Sequence, residues 1–259
     1  MATRTPFFIA ALLNAAVAVL VAIALIRPAP TEPAPERPSS TTSAAPTQEG
    51  PTEEQTDEAT PAPSIAPDIA EALAALDSLE VKGRAPKTGY EREEFGQAWS
   101  DDVTVEFGHN GCDTRNDILR RDLDPESLVL KEGTHDCVAL SGTLHDPYSG
   151  QDIEFQRGAQ TSRAVQIDHV VPLADAWQKG AQQWSPEKRR DFANDPRNLL
   201  AVDGPLNQQK GAGDAATWLP PNKGFRCEYA RRIVEVKAAY EIWVTAAEKD
   251  ALRRLLNAC

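Results

Sequence analysis

Residues 166–180 read QIDHVVPLADAWQKG: an apolar run that stops on an Asp-His pair, with Pro172 three positions after the histidine. Alone, an acid beside a histidine in a strand is most simply a hydrogen-bonded structural pair. Residues 198–210, NLLAVDGPLNQQK, change that reading. They place Asn198 directly before a second apolar run, then Asn207 and Lys210 three apart, a spacing that shares one helix face. The pattern predicts a strand over 165–171, one or two helices over 174–193, and a second strand over 199–202. A turn at Asp203, Gly204 and Pro205 and a short helix over 206–210 follow.

Outside this stretch, composition divides the 259-residue chain. Residues 7–26, FFIAALLNAAVAVLVAIALI, hold Asn14 as their one polar side chain, between Arg4 and Arg27. That length spans a bilayer, and the run exceeds the usual apolar core of a cleaved signal. Residues 1–27 are therefore expected to be an uncleaved transmembrane signal-anchor, with a signal peptide as the alternative. The positive-inside bias leaves the rest of the chain outside the cell in the first case, and the second exports it entirely. Residues 28–67 carry ten prolines and seven acids against one arginine, with Ile65 as the one large aliphatic residue. Such a Pro/Glu/Thr-rich segment cannot bury enough apolar surface to offset its ordering entropy, and a disordered linker is expected. All five tryptophans and all four cysteines fall in 68–259, which is long enough for one domain.

Cys112, Cys137, Cys227 and Cys259 lack C-x-x-C spacing, which argues against a structural zinc site. In an exported chain an even count reads as disulfides. Of the three pairings, Cys112 with Cys137 and Cys227 with Cys259 is preferred: each pair stays within one half of the domain, and the second ties down the last residue.

Elsewhere, PDIAEALAALDSLEV predicts a helix behind an Asp68 cap, with Ile69, Leu73, Leu76 and Leu79 on one face. CDTRNDILRRDL opens another at Asp113 or Thr114, and offers Asp113, Arg115 and Arg121 as further polar candidates. LSGTLHDPYSGQDIEF reads as strand, turn, strand. YARRIVEVKAAYEIWV is helical, and Thr245 with Glu248 predicts a capping box for a last helix. Lys188, Arg189 and Arg190 lie on an expected exposed helix, and His109, His135 and His145 are expected at the surface.

The net charge of −12 is unevenly spread: the linker carries −6 and residues 68–162 carry −11, whereas 163–232 carry +3. The basic bias thus falls on the segment holding the Asp-His pair.

A strand ending in Asp-His, a second strand led by Asn, and a helix with Asn-x-x-Lys resembles the core of the HNH nucleases, the His-Me finger or ββα-metal superfamily. The fuller pattern IDHVVPLADAW, FANDPRNLLAV, NQQKG and WLPP looks like the GmrSD-type restriction endonuclease C-terminal domain and exported actinobacterial HNH-family proteins. The core likeness covers residues 165–225, and CDTR and DPYSG extend it toward Tyr90 and Cys259. The resemblance implies an α+β fold, a ββα-metal (HNH) core embedded in a mainly helical, disulfide-braced domain.

It further implies a metal-dependent endonuclease with His169 as general base, Asp168 and Asn207 as metal ligands, Asn198 holding the loop that carries His169, and Lys210 adding charge near the phosphate. Two oxygen ligands suit Mg²⁺ better than Zn²⁺, with Mn²⁺ also to be compared. The implied partner is nucleic acid, DNA ahead of RNA, and the chain is expected to act as a monomer, membrane-tethered or secreted. VDGPLN stands where many HNH proteins place zinc-binding cysteines, and the acidic 68–162 half would repel a duplex at long range, so weak, salt-sensitive binding is expected. The rival readings are a non-catalytic exported binding module on the same scaffold and a hydrolase of another phosphodiester.

Overall fold

A computed structural model describes residues 67–259. The expected export segment 1–27 and the linker up to residue 66 lie outside the described residues. Among the described residues no helix is long and apolar enough to cross a membrane.

The described chain is an α+β fold running α1 (Pro67–Ser78), α2 (Thr114–Asp122), β1 (Val129–Leu130), β2 (Ala139–His145), β3 (Asp152–Gln156), β4 (Val165–His169), α3 (Leu173–Trp177), α4 (Pro186–Asn194), β5 (Leu199–Asp203), α5 (Gly204–Lys210), α6 (Arg226–Tyr240) and α7 (Ala246–Leu256). Strands β1, β2 and β3 form one antiparallel sheet; β4 and β5 form a separate antiparallel pair. In that pair Val165 faces Asp203 and His169 faces Leu199.

The hairpin β4–β5 divides two apolar cores. Strand side chains alternate between faces. Val165, Ile167, Leu199 and Ala201 enter a core with Ile118 and Leu119 of α2, Leu144 of β2 and Phe155 of β3. Leu200 and Val202 enter the larger core built on α1, α6 and α7. Burial on both sides explains why LLAV is continuously apolar rather than alternating. The other edge of β4 pairs with no strand, and α5 packs beside it.

Several expected boundaries move. β4 stops at His169 rather than at residue 171: Val170 N–H still reaches the Asn198 carbonyl in the register of the pair, at 2.8 Å, but Val171 N–H goes to the Asn198 side chain and Pro172 has no N–H to donate. The expected turn at Asp203, Gly204 and Pro205 is the first turn of α5. There Asp203 Oδ1 accepts from Leu206 N–H at 2.7 Å, and Pro205 sits where its missing N–H costs nothing. Gly204 is required, since a Cβ there would lie 2.1 Å from the Arg163 carbonyl oxygen. Helix α1 begins at Pro67, so Asp68 lies in its first turn rather than capping it. Asp113 does cap α2, accepting from Asn116 N–H.

Both expected disulfides form, Cys112–Cys137 and Cys227–Cys259. The second joins the start of α6 to the chain end. Thr245 caps α7 through Glu248 N–H, but the Glu248 carboxylate does not return to complete a capping box. It turns inward, to a cluster of buried charge. Lys179 Nζ lies 2.6 Å from Asp175 Oδ1, 2.9 Å from Asp214 Oδ2 and 2.7 Å from Glu248 Oε2. Lys237 Nζ reaches Asp175 Oδ2 at 3.2 Å and Glu248 Oε1 at 2.9 Å, and Arg84 closes the set on Asp175 and Asp214 at 2.7 and 2.6 Å. Asp175 Oδ1 and Glu248 Oε1 meet their lysines as ion pairs rather than as well-aligned hydrogen bonds. Three cations thus balance three carboxylates.

Two stability predictions follow from this arrangement. Replacing Cys227 and Cys259 by serine removes a cross-link over 32 residues, a loss of about 3–4 kcal/mol in the chain-entropy estimate. For a domain of this size it should lower the melting temperature by roughly 10 °C, and a calorimetric midpoint within about 2 °C of the parent would show that the bond does not constrain the unfolded chain. Lys179→Met removes the cation that meets all three carboxylates, leaving three buried negative charges against two cations, and should cost about 3–5 kcal/mol in urea unfolding. Lys188→Met, which removes an exposed 3.6 Å pair with Glu241 and a cation–π contact over Trp184, should change stability by less than about 1 kcal/mol.

Candidate active site

β4 delivers Asp168 and His169 to opposite faces. The His169 ring is buried, and its Nε2 lies 2.8 Å from the Ala193 carbonyl oxygen. A carbonyl can only accept, so Nε2 carries the proton and Nδ1 holds a bare lone pair. The Trp99 indole stacks on the ring at 5.9 Å between centroids and 14° between planes. Burial, then the positive charge of Arg92 and Lys210, pushes the imidazole down to about 3 against the opposing Ala193 hydrogen bond. The ring is therefore neutral across the physiological range.

Asn198 is fully buried and braces the segment after His169. Its Oδ1 accepts from Val171 N–H at 2.8 Å, and its Nδ2 donates to the Val171 carbonyl at 3.3 Å. Pro172 then opens α3.

On the opposite face the Lys210 ammonium, shielded from solvent at the end of α5, is fully satisfied. It donates to Asp168 Oδ1 and Oδ2 at 3.0 and 2.7 Å and to the His169 carbonyl at 2.7 Å. Tyr148 O–H adds a 2.5 Å bond to Asp168 Oδ2. Burial, then the Asp168 charge, raises the Tyr148 hydroxyl well above its ordinary value, so it stays protonated and donates. Asp146 fixes the DPYSG turn: it accepts from Tyr148 and Ser149 N–H, and from Asp203 N–H at the β5–α5 junction. Asn207, one turn before Lys210, donates from Nδ2 to Gln166 Oε1 at 3.0 Å.

Asp168, His169 and Asn207 line one open cleft of about 630 Å³ along the free edge of β4, with Arg92, Arg115 and Arg163 in its walls. Asn198 and Lys210 lie beneath it and hold its floor. Lys210 thus stands on Asp168 rather than open to a phosphate. Arg121 is elsewhere, donating to the Pro196 and Leu199 carbonyls. Arg189 and Arg190 are tied to Glu94 and Asp102. His109, His135 and His145 are exposed, as expected. Tyr148, Trp99 and Arg92 went unassigned in the sequence. DPYSG offered a signal for Tyr148, since a tyrosine inside a tight turn calls for a tertiary partner, whereas nothing local marks Trp99.

Residues 113–255 match the family of GmrSD restriction endonucleases, C-terminal domain. The chain belongs to this family. An uncharacterized secreted protein of Arthroderma benhamiae (strain ATCC MYA-4681 / CBS 112371) is 37% identical over 206 residues, covering 79% of this chain and 92% of that protein. No solved structure matches the chain.

The family implies a divalent metal, and the donor chemistry fits one. Asp168 Oδ1 keeps a lone pair beyond its bond to Lys210, Asn207 Oδ1 accepts no hydrogen bond among the described residues, and both residues line the cleft. Two hard oxygens suit an ion that retains most of its waters. Among the described residues no three His, Cys, Asp or Glu side chains converge as a cage.

The buried neutral imidazole makes stability depend on pH. The folded value lies below the unfolded one near 6.5, so the unfolded chain binds the extra proton and stability falls as pH drops through 6.5 toward 3. Between pH 7 and pH 5 this group should remove about 2 kcal/mol. Urea unfolding of parent and His169→Gln in chelator should show that difference in their pH slopes, and equal slopes would mean that His169 titrates normally in the folded protein.

Proposed function

We propose that the protein is a metal-dependent endonuclease of the ββα-metal type, with β4, β5 and α5 as its core, acting on nucleic acid outside the cytoplasm. The observation that carries this reading is the fixed tautomer of His169: its Nε2 is committed to Ala193, leaving Nδ1 free to take a proton on a residue that lines an arginine-bearing cleft. Nδ1 removes a proton from water as the water oxygen bonds to phosphorus. The bond from phosphorus to the leaving oxygen breaks, and that oxygen is protonated from solvent. Asp168 and Asn207 would hold the divalent metal, which when bound neutralises charge on the phosphate oxygens. Mg²⁺ is the ion hard oxygens favour, with Mn²⁺ and Zn²⁺ to compare. Lys210 and Tyr148 orient Asp168, and Asn198 positions the His169 loop.

The charged groups of the cleft address phosphate rather than base edges, which supports cleavage with little sequence selectivity. DNA is proposed ahead of RNA because the family is one of restriction endonucleases. Two disulfides and a secreted relative support action outside the cytoplasm. The working form is proposed to be a monomer.

The test is incubation with supercoiled plasmid and with single-stranded circular DNA, with Mg²⁺ and with chelator. His169→Ala should cut the rate by roughly 10²–10⁴ while remaining folded. In calorimetric titration Asp168→Asn and Asn207→Ala should bind metal more weakly. Lys210→Met, which frees Asp168 of its resident cation, should bind it more tightly. Undiminished cleavage by folded His169→Ala would sink the mechanism, and parent-like metal binding by Asp168→Asn would move the metal elsewhere.

A further inference from the structure

The fifteen arginines of the described residues are used in different ways. Nine of them, such as Arg84, Arg121, Arg190 and Arg197, pair with carboxylates. Arg92, Arg115 and Arg163 have no carboxylate and no hydrogen-bond acceptor on their guanidinium groups among the described residues, and all three line the cleft that holds His169. They arrive from separate places: the turn Arg92–Phe95, the first turn of α2, and the turn Thr161–Arg163 before β4. Arg115 is the sharpest case. It is largely withdrawn from water beside Arg157, whose own guanidinium is spent on the Ala139 carbonyl and Asn116, and this burial and repulsion disfavour its charge. A desolvated cation held near another cation costs stability, so the fold keeps it at a cost that an anion in the cleft would offset.

The surroundings restrict which anion enters. Arg92 and Arg115 belong to the half of the domain carrying −11, and exposed Glu91, Glu93 and Asp102 place an acidic surface in the chain on either side of Arg92 and Trp99. A duplex presents phosphates across grooves roughly 6–12 Å wide and would set many of them against that acidic surface. One extended strand sets its phosphates inside the cleft alone. Aromatic faces complete the wall: Tyr90 and Trp99 both line it, and Trp99 is held at φ +59°, a costly backbone state for a bulky residue. Such faces take bases without regard to sequence.

Resting on the nuclease reading, we propose that Arg92, Arg115 and Arg163 form a subsite for the phosphates flanking the scissile bond, and that the cleft takes a single nucleic-acid strand in preference to a duplex.

The test is fluorescence anisotropy of the full chain in chelator with labelled single-stranded DNA of about 12 nucleotides and the matching duplex. The single strand should bind at least about ten-fold more tightly. Arg115→Gln should weaken it about ten-fold, one charge-assisted contact, and reduce the salt slope by about 0.7. Arg254→Gln, which removes an unpaired arginine outside the cleft, should leave both unchanged. The melting temperature of Arg115→Gln should equal or exceed the parent's, because a costly charge is removed; a structural arginine would lower it. Arg115→Lys, which keeps the charge, should recover part of the affinity if glutamine perturbs the fold. Equal or tighter duplex binding, or an Arg115→Gln protein with the parent's affinity and slope, overturns the proposal. His169-dependent hydrolysis of bis(p-nitrophenyl) phosphate separates the two failures: if it persists, the subsite alone is wrong, and if it too is absent the nuclease reading falls with it.

Discussion

The described domain depends on a neutral knot of six buried or half-buried charges, Arg84, Lys179 and Lys237 against Asp175, Asp214 and Glu248. Taking charges out of water is expensive, and such clusters seldom add net stability over a well-packed apolar alternative. What this one supplies is registry. Asp175 sits on α3, six residues after His169, and Asp214 lies four residues after Lys210, while Lys237 and Glu248 come from α6 and α7. The two segments that carry the candidate site are therefore locked to the C-terminal helices by charge matching that tolerates no slip. Burial alone would raise Asp175, yet Lys237 and Lys179 hold it below the ordinary carboxylate range, and Asp214 is held down in the same sense by Lys179. Asp175 and Asp214 thus contribute stability that is present above about pH 4 and lost as pH falls through their depressed folded values.

A smaller version of the same device sits at the cleft. Lys210 has three N–H groups and three acceptors, two on Asp168 and one on the His169 backbone. It ties the end of β4 to the end of α5 in the way that Lys179 ties α3 to α7. Asn198 does the neutral equivalent on the far side of His169, using both ends of its amide on Val171. The imidazole is thus held from both sides in sequence and from above by Trp99, with its tautomer set by one carbonyl.

Much of the hairpin and its helix was legible because it rests on local rules. Apolar runs bounded by Asn198 and by Asp203, Gly204 and Pro205 define β5 and the start of α5, and the three-residue spacing of Asn207 and Lys210 puts them on one helix face. Where the reading slipped, two structures share one local code: Asp-Gly-Pro serves a turn and the capped first turn of a helix equally. Glu248 satisfied the capping-box pattern, yet a buried lysine attracts a carboxylate more strongly than a backbone N–H does. Partners far apart in sequence left no local trace. Tyr148 meets Asp168 across 20 residues and Trp99 meets His169 across 70, so neither periodicity nor spacing could announce them. Lys210 was legible as a cation near the site, but which anion it would choose is a tertiary decision.

The state of His169 links these constraints to the proposed chemistry. Loss of hydration, then the charges of Arg92 and Lys210, make the ring a poor proton acceptor. A buried imidazole held neutral is always in the form a base needs, but with little driving force to accept a proton. A phosphodiester entering among Arg92, Arg115 and Arg163 brings negative charge that offsets the cations, so the part of the depression that comes from Arg92 and Lys210 is relieved while the larger part that comes from burial stays. On the proposed reading the base gains strength only with substrate in place. Acids of residues 68–162 hold Arg189, Arg190 and Arg253 in pairs, which leaves Arg92, Arg115 and Arg163 as the arginines that an anion in the cleft would meet.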